Sequence, residues 1–236
     1  MQTNKSSETS LMFSGGVDST VSAIMLSQKF DKVHLLTYCN EYGHYAIHRT
    51  QKRAKELKEK IGDKFIHRIF SIKEIFKKIT LSRLTEDYKE TRSGFIWCLG
   101  CKISMHTRSI IYNLENGINS MHDGSAEDSN EMVEQMIVSI SLIRQFYNRY
   151  GIDYTVPVYN ISRDKKRKIL KDMRFSMGIP VKDRYLGIQP RCIPGELYYL
   201  PYLLFNMPLD HDEKTIAEFI LKKFAIAQDC IKNKGE

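Results

Sequence analysis

The feature that most constrains the fold is a glycine pair between a short apolar segment and an amphipathic one. Leu11, Met12 and Phe13 have the character of a buried parallel strand, and residues 14–20 then read Ser-Gly-Gly-Val-Asp-Ser-Thr. From Asp18 onward the apolar residues recur at helical spacing. A tight glycine turn at this point brings backbone N–H groups and the positive end of the helix to one place. The segment therefore predicts a strand, a phosphate-binding loop and a helix, in that order.

The following residues repeat the alternation of strand and helix patterns. Further strands are predicted at residues 33–38, 64–70, 118–122 and 154–159, with helices at about 45–61, 102–116, 131–149 and 162–176. This alternation predicts an α/β fold with a Rossmann-like, doubly wound parallel sheet. Residues 184–210 hold four of the six prolines and predict irregular chain before a last helix at about 211–231. We expect residues 1–183 to form the nucleotide-binding domain and residues 184–236 a C-terminal extension of loop and helix.

Composition and charge narrow the functional classes. The 36 Lys and Arg residues against 28 Asp and Glu give a net charge of +8, which favours anionic partners such as nucleotides or RNA. No apolar run approaches the roughly 20 residues that a transmembrane helix needs, and the first ten residues lack the apolar stretch of a signal peptide. The five cysteines are an odd number, which argues against a disulfide framework. We expect a cytoplasmic protein with no membrane contact.

The glycine loop differs from a Walker-type loop, because it lacks the Gly-Lys-Ser/Thr ending and carries Asp18 instead. Residues 14–19 resemble the Ser-Gly-Gly-x-Asp-Ser motif of the PP-loop ATP pyrophosphatase family, whose members adenylate a substrate and release pyrophosphate. The resemblance implies that ATP is bound with Mg²⁺ and that Asp18 holds the metal ion. It also implies a set of residues around the nucleotide: Phe13, Ser14, Gly15, Gly16, Ser19, Thr20, Tyr38, Asp123 and Gly124.

A basic run at residues 165–168 opens one of the predicted helices. Relatives in the PP-loop family often carry a phosphate-binding lysine at the start of this helix, and Lys165 is our candidate for that role. A run of charges is also typical of a solvated helix face, and the register within the run is open.

Two cysteines at metal-binding spacing, Cys98 and Cys101, precede a predicted helix whose N-terminus would stabilise thiolates. Three interpretations remain open: half of a structural zinc site, a redox pair, or part of an iron–sulfur site. Cys192, between two prolines, is the candidate third thiol. All three could equally be buried apolar side chains.

The cysteine pattern resembles sulfur-transferring members of the PP-loop family, such as tRNA thiolases, with a third cysteine about 90 residues after the pair. The resemblance implies a [4Fe-4S] cluster on Cys98, Cys101 and Cys192, which then act with Asp18 as catalytic residues. It also implies a sulfide donor or sulfur carrier and an acceptor that is a nucleoside, a tRNA or a small molecule. The chain lacks the flanking zinc-finger cysteines of the larger tRNA thiolases, which puts tRNA in doubt.

Two alternatives stay open at this stage. The chain could be a nitrogen-transferring ligase or amidotransferase whose cysteines are structural or bind zinc. It could also be a nucleotide-binding or RNA-binding module without catalysis, although the presence of Asp18 argues against lost chemistry. The aromatic segment at residues 198–205 predicts core packing or a homodimer surface.

Overall fold

A computed structural model describes residues 7–129, 131–181, 184–205, 207, 209 and 211–234. The strands are β1 (Glu8–Met12), β2 (Lys32–Cys39), β3 (His44–Tyr45), β4 (Phe65–Ser71), β5 (Ser120–His122), β6 (Asp153–Thr155), β7 (Ile179–Val181), β8 (Arg184–Leu186) and β9 (Arg191–Cys192). The helices are α1 (Val17–Ser27), α2 (Arg49–Ile61), α3 (Lys73–Ile79), α4 (Leu84–Thr91), α5 (Phe95–Asn116), α6 (Ile137–Asn148), α7 (Arg163–Asp172), α8 (Ile193–Phe205) and α9 (Glu213–Lys232). Short 3-10 turns occur at Leu81–Arg83, Glu127–Ser129 and Val133–Gln135.

Five parallel strands form the central sheet in the order β4-β2-β1-β5-β6. The chain moves outward from β1 through β2 to β4, then returns to the other side of β1 with β5 and β6. Strand order therefore reverses between β1 and β5, which is the point where open α/β sheets bind ligands. This topology confirms the predicted doubly wound α/β fold.

Helices cover both faces of the sheet because its inner strands are apolar on both sides, as in β2, where Val33, Leu35 and Leu36 are fully buried. One face packs against α1, α2 and α7 through side chains that include Val21, Leu57 and Leu170. The other packs against α3, α5, α6 and α9. Burial of each such side chain contributes about 1.5–3 kcal/mol.

The last helix, α9, belongs to this second layer. Its apolar face, which includes Ile216, Phe219, Ile220 and Phe224, joins the same core cluster as α5 and α6. Phe224 stacks on Phe146 of α6 with ring centroids 4.1 Å apart. A buried ion pair adds to this packing, since Lys223 donates to Asp87 of α4 and both side chains are fully buried. The domain division at residue 183 stays a prediction.

The structure differs from the sequence expectations in several segments. The strand predicted at residues 154–159 is limited to β6 (Asp153–Thr155), and residues 157–160 form a turn. Helix α5 begins at Phe95, about two turns before the predicted start at residue 102, and α3 and α4 occupy a stretch for which no helix was predicted. The prediction of irregular chain for residues 184–210 was wrong over residues 193–205, which form α8. Pro194 lies in the first turn of α8, where a missing N–H costs nothing, and Tyr199 anchors the helix in the core.

None of the helices in the described part of the chain is both long enough and apolar enough to cross a membrane.

Candidate active site

The phosphate loop, residues 14–20, connects β1 to α1 at the point where strand order reverses. Gly15 has a φ of +72°, a left-handed conformation that favours glycine, and a Cβ there would lie 3.3 Å from the Cβ of Arg53. The Ser14 and Ser19 hydroxyls are 3.1 Å apart, and the Gly16 N–H donates to Ser14 Oγ. The loop thus presents hydroxyls and free helix N–H groups together, which is a suitable environment for phosphate oxygens.

The carboxylate of Asp18 lies beside a lysine that the sequence analysis did not select. Lys166 Nζ is 2.7 Å from Asp18 Oδ1 and 3.3 Å from Asp128 Oδ1, and the Lys166 side chain is fully buried. Asp128 Oδ2 is buried and accepts no hydrogen bond from any residue in the described ranges. Arg163 Nε lies 3.8 Å from Asp128 Oδ2, beyond hydrogen-bond distance. Two carboxylates and two cations therefore converge at the mouth of the phosphate loop.

Lys165, our sequence candidate for the phosphate lysine, does not reach the loop. Its side chain is exposed and borders an apolar hollow between α1 and α7, on the far side from the loop, because adjacent helical residues point about 100° apart. Lys166 shares the buried face of α7 with Leu170, four residues later. That spacing was a signal in the sequence that would have selected Lys166.

The Thr20 side chain stabilises the first turn of α1 and does not line the cleft. Its hydroxyl donates to the Gly16 carbonyl at 2.6 Å and its side chain is fully buried.

The turn after β5 packs directly on the phosphate loop. A Cβ on Gly124 would lie 2.9 Å from the backbone nitrogen of Ser19, so only glycine permits this approach. The buried carboxylate of Asp123 accepts from Lys102 Nζ and from Tyr154 Oη, both at 2.6 Å. Burial alone would raise the pKa of the Asp123 carboxyl, but the Lys102 ammonium and these hydrogen bonds outweigh it and hold that pKa below its usual range.

His106 lies behind this ion pair. Its Nδ1 is 3.0 Å from Tyr147 Oη, its Nε2 is 3.8 Å from Asp123 Oδ2, and burial lowers the pKa of His106 to about 3. The imidazole is therefore neutral near pH 7 and belongs to the support of Asp123.

The cysteine pair lies inside α5 and not before it, so the predicted position was wrong by one to two turns. Cys98 and Cys101 are one helical turn apart near the start of that helix. Cys192 arrives on the antiparallel pair β3–β9, in which His44 is paired with Cys192. Cys101 Sγ is 3.6 Å from His44 Nε2 and accepts from Asn40 Nδ2 at 3.3 Å. The Asn40–His44 segment thus contacts the thiols.

Burial opposes the stabilisation of thiolates that we expect from a helix N-terminus. Burial, together with the nearby carboxylate of Glu134 and the neighbouring cysteines, raises the pKa of the Cys98 thiol, and burial raises the pKa values of Cys101 and Cys192 as well. Without a bound cation, the three groups are neutral thiols at pH 7.

Two of the thiols flank a glycine. A Cβ on buried Gly195 would lie 3.4 Å from Cys98 Sγ and 3.7 Å from Cys192 Sγ. Within the described ranges, no group of three or more His, Cys, Asp or Glu side chains is arranged to hold a metal ion as it stands.

A single cleft with a volume of 640 Å³ joins these parts. The sequence-selected residues that line it are Phe13, Ser14, Asp18, Ser19, Tyr38, Cys98, Cys101, Asp123, Gly124 and Cys192. Residues that the sequence analysis did not select also line it, among them His44, Lys102, Asp128, Glu134 and Gln189. The Tyr38 hydroxyl is bonded to Ser109 in the core, so Tyr38 offers the cleft its ring. A volume of this size is typical of a small-molecule site.

Residues 9–95 match the family model described as queuosine biosynthesis protein QueC. The matched segment contains the phosphate loop and ends before Cys98, so it carries no information on the three thiols. No curated protein is detectably similar in sequence.

Among solved structures, the chain is similar to a 4-thiouridine synthetase crystallised as an RNA complex with bound ATP. The TM-score is 0.61 at 12% identity, and the superposition covers 97% of this chain and 53% of that one. The chain therefore spans about half the length of that protein, and the likeness shows a shared fold.

Two further structures are more distant. A predicted subunit of a tRNA methyltransferase from Methanocaldococcus jannaschii has a TM-score of 0.42 at 18% identity, covering 79% of this chain and 96% of that one. NMN synthetase from Francisella tularensis has a TM-score of 0.45 at 13% identity, covering 98% and 87%.

Proposed function

We propose that the chain is a PP-loop ATP pyrophosphatase that adenylates an acceptor with ATP and releases pyrophosphate; the Ser-Gly-Gly-x-Asp-Ser motif at residues 14–19 and the match of residues 9–95 to the QueC model support this. The observation that carries the proposal is the single cleft that joins the phosphate loop to Cys98, Cys101 and Cys192. ATP would bind with its phosphates on the loop, which leaves the acceptor between the nucleotide and the thiols. An acceptor oxygen attacks the α-phosphorus, and the bond to the β-phosphate breaks to release pyrophosphate.

The residues of the loop account for the first step. The N–H groups at the start of α1 and the Ser14 and Ser19 hydroxyls would bind the phosphate oxygens. Asp18 and Asp128 fit a divalent cation, because both carboxylates already face the Lys166 ammonium. Buried Asp128 Oδ2 accepts no hydrogen bond from the described residues and has only the Arg163 guanidinium nearby, at 3.8 Å. Mg²⁺ bound there would neutralise the pyrophosphate as it leaves. The Lys166 ammonium would then turn from the carboxylates toward the phosphates.

The second step in this proposal is sulfur transfer. Sulfur attacks the adenylated carbon, a C–S bond forms, and AMP leaves with the acceptor oxygen. Cys98, Cys101 and Cys192 line one end of the cleft with Gly195 between two of them, which leaves open space beside the sulfur atoms where a Cβ would otherwise lie. These thiols would hold a [4Fe-4S] cluster, which when bound would supply the sulfur nucleophile. Cationic iron would lower the thiol pKa values that burial raises.

Anaerobic purification tests the sulfur proposal. The protein should be brown, with absorbance near 400 nm, and should contain bound iron. Cys98→Ser, Cys101→Ser and Cys192→Ser should each reduce the ratio of iron to protein. Cys230→Ser is the matched control, because Cys230 is buried in α9 away from the cleft. Protein that stays colourless and free of iron after reconstitution contradicts sulfur transfer but leaves pyrophosphate release untouched.

Nitrogen transfer is the second candidate, and the raised thiol pKa values favour it. Neutral thiols beside the Glu134 carboxylate are poor nucleophiles, and they could act as packing groups around an acceptor that reacts with ammonia or an amine. Ammonium-dependent AMP release by iron-free protein, unaffected by Cys98→Ser, would establish this reaction. Failure of ammonium and of simple amines to stimulate AMP release would exclude it.

A further inference from the structure

Gly16 lacks a side chain for a reason other than backbone conformation. It precedes α1 with a φ of −72° and a ψ of 178°, which any residue adopts without strain. A Cβ built on Gly16 would overlap Oε1 of Gln189 and lie 3.1 Å from its Cδ. The Gln189 carboxamide therefore covers the N-terminus of α1, where phosphate is expected to bind.

In this contact a neutral side-chain oxygen lies at a helix N-terminus, where an anion would bind more strongly. The first N–H groups of a helix attract acceptors, and no side chain caps α1. Side-chain Oε1 of Gln189 is a neutral acceptor that lies beside Gly16, whereas a phosphate is a charged acceptor that would bind the N–H groups more strongly. A bound phosphate and the Gln189 oxygen compete for the same space.

Gln189 belongs to a segment, residues 187–192, that we call the strap. Arg49 Nη1 donates to the backbone carbonyl oxygen of Gln189 at 3.3 Å. The backbone carbonyl oxygen of Ile188 would lie 3.5 Å from a Cβ on Gly15. The other end of the strap is β9, which places Cys192 near the other two cysteines of the cleft. Gln189 and Cys192 are three positions apart in sequence, which limits their Cα distance to about 11 Å.

We propose that Gln189 is a positioning residue that reports nucleotide occupancy of the phosphate loop to Cys192. When no phosphate occupies the loop, the side-chain oxygen of Gln189 covers the N-terminus of α1 and the strap lies against the loop. With ATP, the phosphates displace that oxygen, Gln189 turns its amide N–H toward them, and the strap loosens around Cys192. Adenylation and thiol chemistry are thereby ordered in time. The inference rests on the proposed binding of ATP and goes beyond it in assigning a link between the two ends of the cleft.

A charge substitution tests the competition at the loop. Gln189→Glu keeps the shape of the side chain and places a carboxylate where the phosphate is expected, which should weaken ATP binding roughly tenfold or more. Gln51→Glu, an equally exposed glutamine changed on α2, should bind ATP like the wild type. Titration calorimetry with Mg·ATP gives both dissociation constants. Equal affinities for Gln189→Glu and the wild type would overturn the proposal.

A second measurement tests the link to Cys192 in iron-free, full-length protein. A non-hydrolysable ATP analogue should increase the rate at which iodoacetamide alkylates Cys192 by about fivefold. Peptide mass spectrometry measures this rate. Gln189→Ala should still bind the analogue, with Cys192 alkylated at one rate whether or not it is bound. An unchanged nucleotide effect in Gln189→Ala, or no effect in wild-type protein that binds the analogue, would refute the link alone. Wild-type protein that binds no ATP would refute the proposed function and this inference together.

Discussion

Replacing Lys166 with alanine tests the assignment of charges at the phosphate loop. The fully buried ammonium lies 2.7 Å from Asp18 and 3.3 Å from Asp128, and it is the cation that the proposed reaction directs at the phosphates. A hydrogen bond to a charged group contributes about 1.5–3 kcal/mol. Loss of a donor directed at charge that develops in a transition state lowers the rate roughly 10²–10³-fold. We expect Lys166→Ala to reduce kcat/KM for pyrophosphate release by that factor.

The chain provides a matched control one residue away. Lys165→Ala removes the same side chain from the same helix at an exposed position, and it should leave kcat/KM within about twofold of the wild type. A coupled pyrophosphate assay with saturating acceptor measures both variants, and urea unfolding checks that Lys166→Ala remains folded. Equal losses in the two variants, or a loss below about threefold in Lys166→Ala, would show that the buried lysine takes no part in catalysis.

Three further outcomes follow from the packing. Lys223→Met leaves Asp87 buried without its main cation and should lower the free energy of unfolding by about 3–5 kcal/mol in urea titrations, most of it regained when Asp87→Leu is added. Gly124→Ala forces the β5 turn away from Ser19 and should reduce pyrophosphate release at least tenfold with little change in overall unfolding, whereas intact activity would contradict the close approach. The pKa of His106 is about 3 in the folded chain and about 6.5 in the unfolded chain, so between these pH values only the unfolded chain binds the extra proton. The free energy of unfolding should therefore fall as the pH drops from about 7 to 4. In urea unfolding, His106→Asn should reduce this fall by up to about 3 kcal/mol.

The sheet and the phosphate loop were predictable because their signals are local. A strand, a glycine pair and a helix occur within twenty residues, and backbone geometry alone specifies what they form. The choice between Lys165 and Lys166 depends on how α7 is rotated against the sheet, which Leu170 indicates but a charge count does not. The run of charges alone leaves that rotation open.

Residues that reach the cleft from distant segments carried no local signal. Asp128 shares Lys166 with Asp18, and this approach depends on the packing of the chain after β5. Gln189 lies in a proline-containing segment whose composition predicts only irregular chain, and its contact with Gly16 exists because the strap crosses the loop. Such contacts depend on tertiary packing, which single-sequence patterns do not encode.

The pairing of β3 with β9 has a consequence for synthesis of the chain on the ribosome. His44 and Cys192 are neighbours in the fold but about 150 residues apart in sequence, so the pairing forms only after most of the chain has been made. The segments that build the phosphate loop emerge much earlier. A nascent chain can therefore order its nucleotide end before the three thiols meet, and any cofactor that needs all three can be loaded only after Cys192 has left the ribosome.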